Sequence, residues 1–194
     1  MSTLIIHLSD LHLKDGTFLE RAKLISAAAL SPVTDLKAIC VIISGDIANW
    51  GSAKEFSFGK EFIEELQTEI LCRSEILPQI IVCPGNHDCD FSGDQSVRDV
   101  LLASVRANPK AISPAIVSKL SSVLENFNSF QRDVSPEVEI ISPWMAKAVV
   151  HSPDNIIIVL LNSAITSAIK EEYGKLYVPI QNLTLLHRLH SLLV

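Results

Sequence analysis

The stretch CPGNHDCDF, residues 83–91, follows directly on the apolar run Ile80–Val82. A reverse turn at this point would need only Pro84–Gly85. Instead, an asparagine, a histidine and an aspartate stand together where a buried strand is predicted to end. Such side chains contribute little to packing and are well suited to binding a ligand. The stretch therefore predicts a functional site at the end of a strand.

The region before this stretch alternates between strand and helix patterns. Short apolar runs at Leu4–Leu8, Ala38–Ile43 and Ile80–Cys83 predict three strands. Between them, apolar residues recur at helical spacing over Phe18–Leu30 and over residues 53–71. This alternation predicts an α/β fold with a largely parallel sheet.

The second of these helices has a recognisable beginning. Ser52 is a good N-cap residue, and Glu55 follows it three positions later. In this capping box each side chain binds a backbone N–H group of the other residue. The pair predicts that the helix begins at residue 53.

Polar side chains follow all three predicted strands. They comprise Asp10 and His12, then Gly45–Asp46, then Gly85–Asp88. Ligands of an open α/β sheet bind beyond the carboxyl ends of its strands, so these groups should share one site. In an extended chain, residues two apart point the same way, which would let Asp10 and His12 reach one ion together. Each motif alone is weak evidence, and their order after consecutive strands carries the prediction.

The chemistry of this set favours a divalent metal. Carboxylate, imidazole and amide oxygen ligands suit manganese, iron or zinc better than calcium. An ion would also supply positive charge to a chain whose net charge is −6 and whose lysines and arginines are scattered. That distribution argues against a stand-alone nonspecific nucleic-acid binder, which would carry a basic stripe.

Composition predicts a globular domain in a reducing compartment. Hydrophobic residues make up 48% and charged residues 20% of the 194 positions, enough for one core. No uninterrupted apolar run exceeds the length of Ile156–Leu161, and a membrane helix needs about 20 residues. The N-terminal decapeptide lacks the pattern of a signal peptide. Four cysteines without a C-x-x-C pair predict free thiols and a cytoplasmic location, with no membrane partner.

The motifs resemble those of the calcineurin-like metallophosphoesterases. The matching residues are SDLH (9–12), SGDIANWGSAKEF (44–56) and PGNHD (84–88), and the resemblance continues loosely to LNSA (161–164). It implies a metallophosphoesterase-type α-β-β-α sandwich. It also implies four ligands for two divalent metal ions, with manganese favoured over iron or zinc: Asp10 and His12 on the first ion, Asp46 bridging both, and Asn86 on the second. His87 would protonate the leaving group, with Asp10 or Asp88 as its partner.

Three further histidines of the family pattern have no clear counterpart. After residue 88 the chain has His151, His187 and His190, and none of them follows a glycine. His187 and His190 share one face of a predicted helix over residues 181–193, where a surface role is favoured. His151 closes a predicted strand and is the best of the three. The chain thus supplies four of seven implied ligands.

We therefore expect residues 1–194 to form a single domain, the N-terminal portion of a metallophosphoesterase that is incomplete at its C-terminus. A further C-terminal region or a partner chain would supply the missing ligands. Apolar surface should then be exposed where the missing part belongs.

The region from about 92 to 145 is predicted to be a helical insertion, with helices over residues 94–107 and 114–131. Ala146–Val150 and Ile156–Leu161 predict a hairpin. Three aromatic residues in or next to the insertion would cover the site, bind a partner or, as we favour, pack in an added layer: Phe127, Phe130 and Trp144. Asn162 stands at the end of a predicted strand, where it would either contact the site or stabilise a turn, and the turn role is at least as well supported.

Two functions fit these observations. The favoured one is a metal-dependent phosphoesterase that cleaves phosphate esters, more readily phosphodiesters of nucleotides or nucleic acid than phosphoproteins. The alternative is a truncated, non-catalytic module that binds a partner or regulates a larger assembly. A plain nucleotide-binding domain is excluded because neither G-x-G-x-x-G nor G-K-[ST] follows a strand.

Overall fold

The computed structural model describes residues 2–14, 18–93, 95–108, 112–152, 156–170, 174 and 176–179. In this part of the chain, helices cover one face of a parallel sheet, and an antiparallel sheet packs against the other face. The predicted α/β class is confirmed, and the two packed sheets are consistent with the sandwich that the sequence implied.

The parallel sheet and its crossover helices come from the first half of the chain. The strands are β1 (Ser2–Leu8), β2 (Leu36–Ser44) and β3 (Gln79–Cys83), and they lie in the order β1-β2-β3. Helix α1 (Leu19–Leu30) joins the first two strands, and α2 (Ala53–Ser74) joins the last two. All three predicted strands are present, each within two residues of its expected limits.

Strand β2 is buried on both faces, which explains its continuous apolar sequence. Ile39, Val41 and Ile43 belong to the core shared with the helices. Cys40 points the other way and packs against the antiparallel sheet. The middle strand therefore contributes to both layers of core.

The antiparallel sheet contains β4 (Glu139–Ser142), β5 (Met145–Val150) and β6 (Ile156–Leu161) in sequence order. The predicted hairpin of β5 and β6 is confirmed by their antiparallel register. Strand β4 was not predicted, because its four residues are largely exposed and show no apolar alternation. Ala146, Ala148, Val150 and Leu160 cover the parallel sheet.

Helix α2 begins as the sequence predicts. The Ser52 hydroxyl accepts from the Glu55 N–H at 3.3 Å, and the Glu55 carboxylate accepts from the Ser52 N–H at 3.1 Å. The helix ends at Ser74 and is followed by Glu75 in a left-handed conformation with φ of 60°. The capping box thus fixes where the chain leaves the loop that follows β2.

Three helices lie between the two sheets in sequence: α3 (Gln95–Ala107), α4 (Pro114–Ser121) and α5 (Glu125–Val134). The single helix predicted over residues 114–131 was wrong, since a 3-10 turn at Ser122–Leu124 divides it. Gln131 on α5 donates to the backbone oxygen of Val82 at 2.8 Å and so covers an edge of β3. The description of this stretch as an insertion remains a prediction.

The aromatic residues of this stretch pack in the core. Phe127, Phe130 and Trp144 are all buried. The Phe130 ring stacks on the Phe56 ring of α2 at a centroid distance of 5.1 Å. The Phe127 ring contacts the Phe56 ring edge-on, with centroids 5.9 Å apart. This confirms the prediction that these aromatic residues pack in the core and do not cover the site.

Three further predictions concern the cysteines, membrane-spanning helices and the C-terminal helix. All four cysteines are free, as expected, and Cys40, Cys83 and Cys89 are buried. No helix in the described ranges is both long and apolar enough to cross a membrane. The helix predicted over residues 181–193 lies outside the described residues.

Candidate metal centre

The loops after β1 and β2 lie side by side beyond the end of the sheet. The backbone N–H of Asp10 donates to the oxygen of Gly45 at 3.2 Å, and that of His12 donates to the oxygen of Asp46 at 2.9 Å. Backbone pairing therefore continues past the regular strands. It fixes the two loops relative to each other at the carboxyl edge of the sheet.

Three of the predicted ligands have left-handed backbone conformations. The φ angles are 55° for Asp10, 46° for His12 and 56° for Asp46. Such angles are uncommon for residues other than glycine, cost about 1–3 kcal/mol each, and concentrate at functional sites. The prediction that Asp10 and His12 point the same way along an extended chain was wrong, because these angles turn the backbone at both residues.

Two glycines allow the loops after β2 and β3 to touch. A Cβ atom on Gly45, whose φ is 110°, would lie 2.8 Å from the Cα of Gly85. A Cβ atom on Gly85 would collide with the carboxylate of Asp46 and lie 2.6 Å from its backbone nitrogen. Glycine is therefore required at both positions by the close approach of the backbones.

Three side chains converge where these loops meet. Potential ligand atoms of His12, Asp46 and His87 all lie within 4.8 Å of one another. The imidazole rings of His12 and His87 meet edge-to-face, with centroids 4.8 Å apart and planes at 89°. The Nδ1 atom of His12 is buried and has no hydrogen-bond partner. A carboxylate with two imidazoles, one of them carrying an unpartnered nitrogen, fits a divalent transition metal.

The other two predicted ligands lie on the adjoining surface. Asp10 and Asn86 line an open depression of about 430 Å³, and Asp46 lines it as well. Asp46 is thus common to the depression and to the cluster with His12 and His87. The structure brings all five predicted residues to one edge of the sheet, while the part that each plays remains a prediction.

Hydrogen bonds fix His87 at both ends. Its backbone N–H donates to Oδ1 of Asp46 at 3.0 Å. Its ring Nδ1 lies 3.0 Å from the backbone oxygen of Asn49. Because a carbonyl oxygen can only accept, Nδ1 carries the hydrogen of this bond. The backbone carbonyl of Asn49, and neither predicted partner, Asp10 or Asp88, is hydrogen-bonded to this nitrogen.

Asp88 instead joins two of the loops. Its buried carboxylate accepts from the Gly85 N–H at 2.9 Å and from the Ala48 N–H at 2.8 Å. Burial is the largest influence on this carboxyl group and raises its pKa to about 7, although both hydrogen bonds act to lower the pKa. Asp88 thus holds the loop that carries His87 against the loop that carries Asp46.

The sequence did not reveal the contribution of Asn49. Its carbonyl group orients His87, and a backbone group leaves no trace in side-chain patterns. Glu55 was recognised only as part of the capping box. In the structure its carboxylate also accepts from the N–H groups of Asn49 and Trp50. A buried acid at a helix start would have been the only available signal.

The remaining candidates lie elsewhere. His151 lines a groove with Lys37 and Gln79 near the amino ends of β2 and β3, at the opposite end of the sheet. Strand β5 runs away from the site, so a residue at its end cannot reach the cluster. Asn162 donates to the oxygen of Pro143 at 3.2 Å, which supports its turn role. His187 and His190 are outside the described residues.

Comparison with known proteins agrees with the geometry. No curated protein matched the sequence. The family model described as calcineurin-like phosphoesterase matches residues 3–178, which include all three loops of the cluster. Members of this family typically bind divalent metals, and membership supports a metal-dependent hydrolase of phosphoric esters in general terms. The chain belongs to the calcineurin-like phosphoesterase family.

Proposed function

We propose that this protein hydrolyses phosphate esters at a two-metal site on the carboxyl edge of its parallel sheet. The observation that carries the proposal is the convergence of His12, Asp46 and His87 within 4.8 Å. These residues come from three separate loops, which are joined by backbone hydrogen bonds and by Asp88. The left-handed backbone angles of these loops lower the stability of the fold, and strain of this kind is concentrated at functional sites.

The metal ligands in this proposal are Asp10, His12, Asp46 and Asn86. Asp46 would bridge two ions because it alone among them lies in both the cluster and the depression. When bound by these residues, two divalent ions would supply positive charge for a phosphoryl group and would make water more acidic near neutral pH. Manganese is the favoured metal, and iron or zinc also suits the mixed nitrogen and oxygen set.

His87 would donate the proton to the leaving group. Its Nδ1–H is held by the Asn49 oxygen, which leaves Nε2 as the nitrogen for the substrate. To protonate a departing alkoxide, the ring would first take up a second proton at Nε2, and imidazoles gain and lose such a proton near neutral pH. The hydrogen bond from the His87 backbone to Asp46 fixes the donor relative to the metal ligands.

Phosphodiesters of nucleotides or nucleic acid are the proposed substrates. The depression is open rather than enclosed, so it can admit a phosphate that carries two substituents. Ile158 and Leu160 of β6 contribute an apolar wall beside the polar floor. That wall would accept the organic part of the ester while the ligands hold the phosphate.

We also propose that a further C-terminal region or a partner chain completes the site. Ile5 lies opposite Cys40 in the sheet register and so faces the same side as the antiparallel sheet, yet it is 43% exposed. Leu161 of β6 is 41% exposed. No described residue pairs with the outer edge of β6. A strand added there would cover β1 and could bring additional ligands.

The alternative is a non-catalytic module. It is favoured by the position of His151, which leaves the cluster without a further histidine among the described residues. Such a module would bind a partner through the uncovered side of β1 and β6. A cytoplasmic location fits both functions, since the cysteines are free thiols.

The test is hydrolysis of bis-p-nitrophenyl phosphate with added Mn²⁺ by the wild-type chain and by Asp46→Asn. The enzyme proposal predicts activity in the wild type that is lost in the variant. Activity that persists in Asp46→Asn would place the reaction elsewhere. An inactive wild type would favour the non-catalytic module for this chain.

A further inference from the structure

One peptide group connects the proposed proton donor to a buried acid. The carbonyl of Asn49 lies 3.0 Å from the ring Nδ1 of His87 and accepts its hydrogen. The N–H of the same peptide group, which belongs to Trp50, donates to Oε2 of Glu55 at 3.1 Å. His87 and Glu55 are thus linked through the two ends of a single amide.

Helix capping does not account for all the contacts of Glu55. The capping box requires only the Ser52 N–H, which donates to Oε2 at 3.1 Å. The same carboxylate also accepts from the Ser52 hydroxyl at 2.9 Å, the Trp50 N–H at 3.1 Å and the Asn49 N–H at 3.3 Å. Glu55 is only 9% exposed, so these bonds are shielded from water. Two of its donors belong to the loop that carries the Asn49 carbonyl.

The far end of this loop is held independently. Gly51 has φ of 64°, and a Cβ atom there would collide with the backbone of Cys89 and Asp90. The oxygen of Gly51 accepts from the side chain of Asn126 at 3.0 Å. Packing and a hydrogen bond therefore fix the loop at Gly51, while the orientation of the Asn49–Trp50 peptide depends on Glu55.

We propose that Glu55 is a positioning residue for His87 and acts through the Asn49–Trp50 peptide. Its carboxylate fixes the N–H of that peptide and so aims the carbonyl at Nδ1 of His87. A charged acceptor on one end of an amide also strengthens the hydrogen bond at the other end. The result is an imidazole that keeps its hydrogen on Nδ1, so that Nε2, directed to the substrate, is the nitrogen that takes up and delivers the second proton. The inference rests on the proposed role of His87 as proton donor.

The test compares Glu55→Gln with Ser52→Ala. Glutamine at position 55 still supports a capping box, but it loses the charge and one acceptor atom. Ser52→Ala weakens the helix cap and removes the hydroxyl donor to Glu55, but it keeps the carboxylate and its N–H donors from Asn49 and Trp50. The readout is the tautomer of His87, measured by ¹⁵N NMR of the imidazole in the metal-free chain, with His87→Gln used to assign its signals.

We expect the wild type and Ser52→Ala to hold the hydrogen on Nδ1, and Glu55→Gln to show a substantial Nε2–H population. Unchanged His87 signals in Glu55→Gln, or equal changes in both variants, would reduce Glu55 to a helix cap. Because this readout requires no turnover, it does not depend on the outcome of the hydrolysis test. If the enzyme is active, Glu55→Gln should lower kcat about 10-fold with little change in KM.

A measurement on the wild type covers the case in which Glu55→Gln does not fold. The inference requires that the Trp50 amide be protected from hydrogen exchange and that the His87 hydrogen lie on Nδ1. A Trp50 amide that exchanges as fast as a free loop, or a wild-type His87 with its hydrogen on Nε2, contradicts it.

Discussion

The two ends of the parallel sheet carry similar residue types but differ in how they are organised. At the carboxyl end, His12, Asp46 and His87 converge within 4.8 Å on strained, hydrogen-bonded loops. At the amino end, His151 and Gln79 line an open groove of about 390 Å³. Gln79 there joins the two sheets by donating to the oxygen of Val149 at 2.9 Å.

This difference shows that strand direction, and not residue type, creates the candidate site. Parallel strands deliver the polar residues that follow them to one edge, and the loops there are free to turn. Strand β5 runs antiparallel to β6, so it delivers His151 to the opposite edge. A histidine at the end of a strand is therefore informative only when the direction of that strand is known.

The largest expected effect is a difference in activity between two histidine variants, one at each end of the parallel sheet. His12→Ala should lower the proposed phosphodiesterase activity at least about 100-fold, because it removes a proposed ligand from the cluster. His151→Ala should leave the activity within about twofold of wild type. Steady-state assays with Mn²⁺ measure both variants. A comparable loss in His151→Ala would break the distinction between the two ends.

The next effect concerns the close approach of the loops. Gly85→Ala should destabilise the fold by about 2–3 kcal/mol, because the new Cβ atom collides with Asp46. Gly93→Ala is the control, since nothing lies within 4 Å of the position that its new Cβ atom would occupy. Its effect should stay within about 0.5 kcal/mol. Urea unfolding gives both values, and equal stability of the two variants would show that the loops do not touch.

The smallest expected effect concerns the uncovered side of the sheets. Ile5→Lys should reduce self-association of the chain at high concentration, because it places a charge on exposed apolar surface. Leu24→Lys on α1 is the control, because Leu24 is 70% exposed on a helix away from that face. Sedimentation velocity compares them. An equal response of both variants, or a wild type that stays monomeric at every concentration, would argue against a docking surface on β1 and β6.

Much of the fold could be predicted because its signals are local. Three apolar runs gave β1 to β3, and the Ser52–Glu55 spacing gave the start of α2. Strand β4 was missed because its four residues are partly exposed and show no apolar alternation, although it pairs with β5 across a two-residue turn. The turn at Ser122–Leu124 was missed because the apolar spacing continues through it.

The site was predictable in its residues and less so in its geometry. Loop composition placed His12, Asp46 and His87 at one edge, since parallel strands share their direction. The left-handed angles at Asp10 and His12 could not be predicted, because they follow from pairing with the neighbouring loop. The partner of His87 was missed for a related reason. It is the backbone of Asn49, and only the folded loop brings that carbonyl within reach.

The most direct test of the central claim is Mn²⁺ binding by the full chain, measured by calorimetry and by the loss of free-ion signal in electron paramagnetic resonance. Asp46→Asn alters the carboxylate shared by the cluster and the depression, which is a proposed ligand, and Asp133→Asn is the control because it alters an exposed ion pair with Lys60. A metal centre at this edge of the sheet predicts binding in the wild type and in Asp133→Asn, with loss in Asp46→Asn. Equal binding in all three proteins, or no binding in the wild type, would contradict it.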